Sequence, residues 1–261
     1  MKTAPINLVA GPSGSGKTSW IYTHFHSQQS PQALGAYLAL GAQIPVDASY
    51  LATESPTLEV LDEAQRESIA AVVEMRLAEG AAIYVEIGFH IDPLALVLPF
   101  DPGLCHRVAV LPSSSEDLDL KNWADDVVPA AEVYRDFSAT QIWRSPLTGQ
   151  ILDPASLDTF WHELTQGAYG AVHRAKGIFD LVDGRAFYFN YVAGLPNTQY
   201  VELKVPRWLK GRPERFSGLE VVGEGFDQAS IASTLGDCGL EDDAIAYYQA
   251  QIKESLGEQA A

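Results

Sequence analysis

Cysteine is scarce in this chain: Cys105 and Cys238 are the two thiols among 261 residues. Because they lie far apart in the sequence, a disulfide framework is not expected. No apolar run approaches the ~20 residues that a membrane-spanning helix needs. The N-terminal residues Lys2, Thr3, Ala4 and Pro5 lead into a short apolar strand and do not resemble a signal peptide. We therefore expect a soluble cytoplasmic protein.

Basic residues are also few. The chain has 17 Lys and Arg against 34 Asp and Glu, which gives a formal net charge of -17 and a pI near 4.6. Such a surface repels nucleic acids and anionic membranes, so neither is expected as a partner. With 47% hydrophobic and 20% charged residues and no long block of like charge, the chain should be folded nearly throughout.

A glycine-rich loop at Gly11–Thr18 is the most informative motif. It fits the pattern G-x-x-x-x-G-K-[ST], follows the apolar strand Ile6–Ala10 and precedes a predicted helix over Thr18–Gln28. In such loops backbone N–H groups converge on phosphates, the lysine reaches the β and γ phosphates, and the hydroxyl holds Mg²⁺. A Gly/Ser turn with an unrelated lysine is the alternative. The predicted ligands of GTP or ATP are Gly11, Ser13, Gly14, Ser15, Gly16, Lys17, Thr18 and Ser19.

A phosphate loop of this kind also needs a carboxylate on a neighbouring strand to complete the magnesium shell. Glu86 closes the predicted strand Ala82–Glu86 and is the first candidate; Asp47 is the second. We predict Thr18, Glu86 and Asp47 around Mg²⁺, with Lys17 and Glu86 as the catalytic residues. The alternative is that Glu86 merely ends a strand.

Strands and helices alternate through the first half of the sequence. Further strands are predicted at Ala36–Leu40 and Arg107–Leu111, a helix at Leu61–Glu79, and irregular structure over 41–58. This alternation is typical of an α/β fold, a P-loop NTPase parallel sheet with helices on both faces, over residues 1–150.

The second half has a different pattern. Turn-forming residues around 145–154 mark a linker, after which a smaller α+β domain is predicted over residues 151–261. Its predicted strands are Arg185–Val192 and Leu219–Val222, and its predicted helices are Asp227–Leu235, capped by its first residue, and Glu241–Ser255.

Segments in both halves carry a family resemblance. Glu86–Pro93 resembles the E-T-S-G-x-A-D-P segment of the CobW-like GTPases, which are metallochaperones. His173–Phe179, Gly194 and Leu219–Asp227 resemble the R-x-K-G, glycine and G-x-G-x-D elements of the CobW C-terminal domain. The resemblance implies a protein that binds GTP with Mg²⁺, hydrolyses it slowly and delivers a metal to a client protein.

The chain departs from this family pattern in three ways. It has no C-x-C-C metal motif, since no cysteine precedes Cys105. It has no N-K-x-D guanine reader, for which the nearest counterpart is 124–133. Phe89 occupies the position of the glycine expected to contact the γ-phosphate, with Gly88 displaced by one residue. We therefore expect a CobW-like nucleotide-binding accessory or assembly protein with a protein client and weak or lost hydrolysis. A small-molecule kinase and a degenerate P-loop scaffold remain alternatives.

Four other groups of residues are weaker candidates. His24 and His26 are unsuited to share a metal on a helix, and Cys105-His106 supplies too few ligands for zinc. The alternating aromatics of Phe187–Tyr191 suggest core packing, with a client-binding face as the alternative. The basic segment Arg207–Arg212, with Trp208, is either a solvated loop or a protein contact.

Overall fold

The computed structural model describes residues 5–27, 34–61, 66–130, 140–196, 198–209 and 211–257. The chain divides into two compact units, Met1–Arg135 and Asp136–Ala261. The sequence predicts a boundary near residue 150 instead. The difference arises because Gln141–Pro146 forms a strand that pairs with Gly218–Glu224 and so belongs to the second unit.

The first unit is built on a six-stranded parallel sheet with the order β3-β2-β4-β1-β5-β6. Its elements, in chain order, are β1 (Ile6–Ala10), α1 (Lys17–Ser27), β2 (Gly35–Leu40), α2 (Val46–Glu54), β3 (Leu58–Leu61), α3 (Arg66–Ala78), β4 (Ala82–Ile87), β5 (Cys105–Pro112), α4 (Leu118–Trp123) and β6 (Asp126–Ala130).

Helices cover both faces of this sheet. On one face Ile6 and Leu8 of β1 share a buried cluster with Val73 of α3 and Leu120 of α4. On the other face Val9 belongs to a cluster with residues from α1 and α2. Because the central strands are buried on both sides, they consist of nearly continuous apolar runs, as in other parallel sheets. The predicted α/β fold class is confirmed.

Two local predictions in this unit were wrong. Helix α2 lies within 41–58, which was predicted to be irregular. Leu61 ends strand β3, and the helix predicted to begin there begins at Arg66; residues 62–65 lie outside the described part. Periodicity alone does not separate a short strand from a helix, and here pairing of β3 with β2 determines the outcome.

The second unit contains a five-stranded antiparallel sheet with the order β10-β9-β8-β11-β7. Helices α5 and α6 pack on one face of it around Phe160, Trp161 and Ile231. The elements are β7 (Gln141–Pro146), α5 (Pro154–Thr165), β8 (Ala171–Asp180), β9 (Ala186–Val192), β10 (Gln199–Glu202), β11 (Gly218–Glu224), α6 (Gln228–Asp237) and α7 (Asp242–Leu256). Among the described residues, no helix combines the length and apolarity needed to cross a membrane.

Candidate functional site

The glycine-rich loop leaves the carboxyl end of β1, which lies between β4 and β5 at the centre of the sheet. In open α/β sheets this edge, beside a central strand, is where ligands bind. The loop turns through positive φ values at Gly14 (78°) and Gly16 (93°), which glycine adopts without strain. Helix α1 then begins at Lys17, so its positive N-terminal end lies at the loop.

The atoms around position 11 leave room for glycine only. A Cβ atom at this position would lie 2.4 Å from the carbonyl oxygen of Val110 in β5 and 2.8 Å from Oγ of Ser15. The φ of Gly11 is 154°, which L residues rarely adopt. The loop therefore runs against the end of β5 with no room for a side chain.

Lys17 lies folded over the loop. Its Nζ donates hydrogen bonds to the carbonyl oxygens of Gly11 (2.9 Å) and Pro12 (3.1 Å), and the residue is 5% exposed. The ammonium group is thus positioned within the turn that would surround a phosphate. A phosphate would replace these two carbonyls as the partner of the charge.

Thr18 and Glu86 are in direct contact. The Thr18 hydroxyl donates to Oε2 of Glu86 at 2.9 Å, and both residues are buried. Glu86 is brought there because β4 pairs with β1, with Val9 in register with Glu86. A hydroxyl and a carboxylate at this spacing are the oxygen ligands that Mg²⁺ prefers.

Tyr37 completes this cluster and was not foreseen from the sequence. Its hydroxyl donates to the same Oε2 of Glu86 at 2.9 Å, and its side chain is fully buried in β2. Ala39, two residues along β2, is in register with Glu86, so Tyr37 reaches the carboxylate diagonally. Only the strand order, which places β2 beside β4, could have revealed this contact.

The loop serines carry buried hydroxyls. Ser13 and Ser15 are 3% and 7% exposed, and their Oγ atoms have no hydrogen-bond partner among the residues that the structure describes. Buried polar atoms are normally paired, so such atoms point to a ligand that supplies the partner. Phosphate oxygens would do so, and the residues present therefore fit a nucleoside phosphate with its magnesium ion.

The remaining predicted ligands occupy separate positions. Ser19 is exposed in the first turn of α1. Asp47 is buried in the first turn of α2, where a carboxylate is favoured by the helix dipole. Since Glu86 contacts Thr18 directly, the geometry favours Glu86 over Asp47 as the magnesium-shell carboxylate.

The residues that follow β4 are not arranged to contact a γ-phosphate. The N–H of Gly88 donates to the carbonyl oxygen of Leu40 at 3.0 Å and so extends the pairing of β4 with β2. The Phe89 ring packs edge-on against His90, with centroids 5.4 Å apart. The displaced glycine is therefore engaged within the fold.

The segment 124–133, the nearest counterpart of the missing base reader, contains the edge strand β6 (Asp126–Ala130). Its residues 131–133 lie outside the described part of the chain.

The histidines of α1 have different partners. His24 shares a hydrogen bond with the hydroxyl of Tyr84 (3.0 Å) and stacks on Trp20, whereas His26 contacts Oγ of Ser55 (2.9 Å). Burial lowers the pKa of His24, and the charge of His106 lowers it further. These side chains serve local packing and are not brought together.

The cysteines are also separated. Cys105 begins β5, and Cys238 is buried beyond α6, where burial raises the pKa of its thiol to about 11. His106 pairs with Asp126 at 2.9 Å. Within the described ranges, no group of three or more His, Cys, Asp and Glu residues could hold a metal ion.

The other two candidate segments are engaged in the second unit. Phe187, Phe189 and Tyr191 share the core face of β9, and the Phe189 ring lies 5.1 Å from that of Trp161. Trp208 is half-buried, with Lys253 4.7 Å from its ring centroid. Arg212 binds Asp242 and the carbonyls of Gly149 and Leu240. Lys210 lies outside the described residues.

Comparison with solved structures finds the Zn(II)-bound YjiA GTPase from E. coli and a Zn(II)-bound triple mutant of YjiA. Each is 10% identical, with 91% of this chain and 99% of that chain covered, at a TM-score of 0.33. Likenesses this distant carry no functional argument. Among curated proteins no significant match is found.

A protein-family comparison gives the clearest result. Residues 148–239 match the family described as cobalamin synthesis protein cobW C-terminal domain. This range lies within the second unit and includes the R-x-K-G and G-x-G-x-D segments that carry the resemblance in the sequence. The second unit therefore contains a segment, residues 148–239, that is similar to the CobW C-terminal domain.

Proposed function

We propose that this chain is a nucleoside-triphosphate-binding accessory or assembly protein that binds the nucleotide with Mg²⁺ in its first unit. The observation that carries the proposal is the contact between Thr18 and Glu86 beneath the glycine loop, at 2.9 Å. In the bound state the backbone N–H groups of Gly14, Ser15 and Gly16 hold phosphate oxygens, and Lys17 neutralises charge. Thr18 and Glu86 supply oxygens to the magnesium shell.

Weak hydrolysis of the nucleotide fits the geometry of the residues that follow β4. The N–H of Gly88 is engaged with Leu40, and Phe89 stands where the family has glycine. Slow turnover suits a protein whose nucleotide state controls an encounter with a client protein. We propose both that such a client protein exists and that the nucleotide is used for its assembly.

Isothermal titration with GTP, ATP and their diphosphates, with and without Mg²⁺, tests this function. We expect Mg²⁺-dependent binding with little preference for the base, because the N-K-x-D reader is missing. A hundredfold preference for GTP, about 2.7 kcal/mol, would show that another segment reads guanine. Absence of binding to every nucleotide would favour the degenerate scaffold.

Tyr37 provides a sharper test of the magnesium shell. Tyr37→Phe keeps the buried ring but removes the hydrogen bond to Glu86, so we expect Mg²⁺-dependent nucleotide affinity to fall about three- to tenfold, the value of one such bond. Affinity measured without Mg²⁺ should change little.

Tyr84→Phe is the matched control. Tyr84 is equally buried and pairs with Tyr37 in the sheet, but its hydroxyl contacts His24 instead of Glu86. Both variants should lose a similar amount of thermal stability. If they also changed the Mg²⁺ dependence equally, Tyr37 would have no special role in placing Glu86.

A further inference from the structure

The segment 88–101, between β4 and β5, covers part of one sheet face without forming a helix or strand. Pro93 and Pro99 disfavour a helix within it. Leu96, Leu98 and Phe100 pack against the core cluster of that face.

Two neighbouring cavities lie beside this segment. The first, of about 420 Å³, is floored by Leu8 and Ile87 and walled by Leu98, Phe100 and Trp123. The second, of about 500 Å³, reaches Ala10 and Gly11 at the phosphate loop. Both are lined by Ile87, Pro93, Leu94 and Asp119, so they form one groove that runs from the phosphate loop to Trp123.

The groove is polarised. Its end near the phosphate loop is lined by Asp92 and Asp117, and Asp119 lines both cavities. Its far end is mainly apolar and includes Trp123, with Arg107 on the wall. A ligand that carries a cation at one end and an apolar group at the other would match this distribution.

The rim indicates a polypeptide. Leu94 lines both cavities and is 56% exposed. Val97 and Leu118, which are 88% and 68% exposed, are sequence neighbours of the lining residues Leu98 and Asp119. A small molecule within the cavities would leave these side chains in water. Clustered exposed apolar residues beside acidic ones are typical of a protein-contact surface.

From this arrangement we propose that the groove binds an extended segment of a partner protein that carries a Leu or Phe anchor near Lys or Arg residues. The anchor enters the apolar end near Trp123, and the basic side chains face Asp117 and Asp119. Regulation of this docking by nucleotide rests on the proposed function. A bound triphosphate adds negative charge beside Gly11 and should strengthen attachment of a basic segment.

Fluorescence anisotropy on the full-length, nucleotide-free protein tests the groove. The probes are labelled decapeptides with one Leu or Phe and two Lys or Arg at varied spacing, and a matched set with Glu in place of the cations. We expect saturable binding for a subset of the basic peptides and none for the acidic set. No saturable binding up to about 1 mM, or equal binding of both sets, overturns the proposal.

Surface variants locate the site. Val97→Ser and Leu118→Ser should each weaken peptide binding about fivefold, since each removes an apolar contact without disturbing the core. Asp119→Asn should weaken it and reduce its salt dependence. Tyr247→Ser, at a residue 60% exposed on α7 in the other unit, should leave it unchanged. Equal effects of all four variants would contradict the location.

The test separates this inference from the proposed function. A Lys17→Met variant should lose nucleotide binding and keep peptide binding in the nucleotide-free state. Nucleotide binding without peptide binding would overturn the groove alone, and the converse would overturn the nucleotide function alone. If saturating nucleotide with Mg²⁺ left the affinity of the bound peptides unchanged, the regulatory link would be withdrawn.

Discussion

Replacing Lys17 with alanine should lower nucleotide affinity by at least about a hundredfold, corresponding to 2.7 kcal/mol. The chain carries a formal charge of -17, so a triphosphate approaches it against a repulsive field. Lys17 is the cation that lies inside the phosphate loop, with Nζ held by Gly11 and Pro12. Isothermal titration in the presence of Mg²⁺ measures the loss directly.

Because Lys17 is buried, replacing it with alanine should also lower the stability of the protein. Lys17 is 5% exposed, and its Nζ donates hydrogen bonds to two carbonyl oxygens, so it also stabilises the loop. Lys17→Ala leaves those carbonyls without the donor, which costs about 1–3 kcal/mol where they stay dry. Lys17→Met retains the apolar stem and should recover part of the stability but none of the affinity.

Lys121→Met is a suitable control for both variants. Lys121 lies in the same unit and also donates to a loop carbonyl, that of Ser115. We expect its nucleotide affinity to stay within about twofold of the wild type. Retained affinity in Lys17→Met would exclude the loop as the phosphate site.

Strong local signals made much of the first unit predictable. The strands β1, β2, β4 and β5 are apolar runs bounded by polar or glycine residues, and each was located within about two residues. Helix α2 was missed because Pro45 and Pro56 suggested a loop, although Pro45 precedes the helix and Pro56 follows it. A proline at a helix boundary and one inside a loop look alike in a sequence.

The candidate site was only partly predictable. The loop motif identifies its ligands by spacing, and Glu86 could be proposed because an acid at the end of a strand is a recognisable signal. Tyr37 could not be proposed, because its contact with Glu86 depends on β2 lying beside β4. That arrangement is a long-range choice of strand order, which sequence periodicity does not encode.

The burial of the lysine and the engagement of Gly88 also depend on tertiary structure. A motif states which residue carries the charge but not what that residue contacts when no ligand is bound. In this chain Lys17 contacts loop carbonyls and Gly88 contacts Leu40 of β2. Both contacts must be exchanged if a nucleotide is to engage those groups, so the nucleotide-free loop sets part of the affinity.

Substitution of Gly11 by alanine should have the second large effect. The new methyl group would lie 2.4 Å from the Val110 carbonyl oxygen, which belongs to the backbone of β5 and cannot move aside cheaply. The φ of 154° is also unfavourable for alanine. We expect the free energy of unfolding to fall by about 2–4 kcal/mol, from strain and overpacking together, and nucleotide binding to be lost as the loop shifts.

Gly80→Ala separates the effect of backbone strain on stability from the effect of the steric clash. Gly80 has a φ of 83°, but a Cβ atom added there would meet no heavy atom within 4 Å, so its substitution adds backbone strain without a clash. It should cost about 1–2 kcal/mol and leave nucleotide affinity unchanged, because it lies in the turn between α3 and β4. Urea denaturation gives the stability of both variants, and titration with nucleotide and Mg²⁺ gives their affinity. If Gly11→Ala were no less stable than Gly80→Ala and still bound nucleotide, the tight approach of the loop to β5 would have no part in shaping the site.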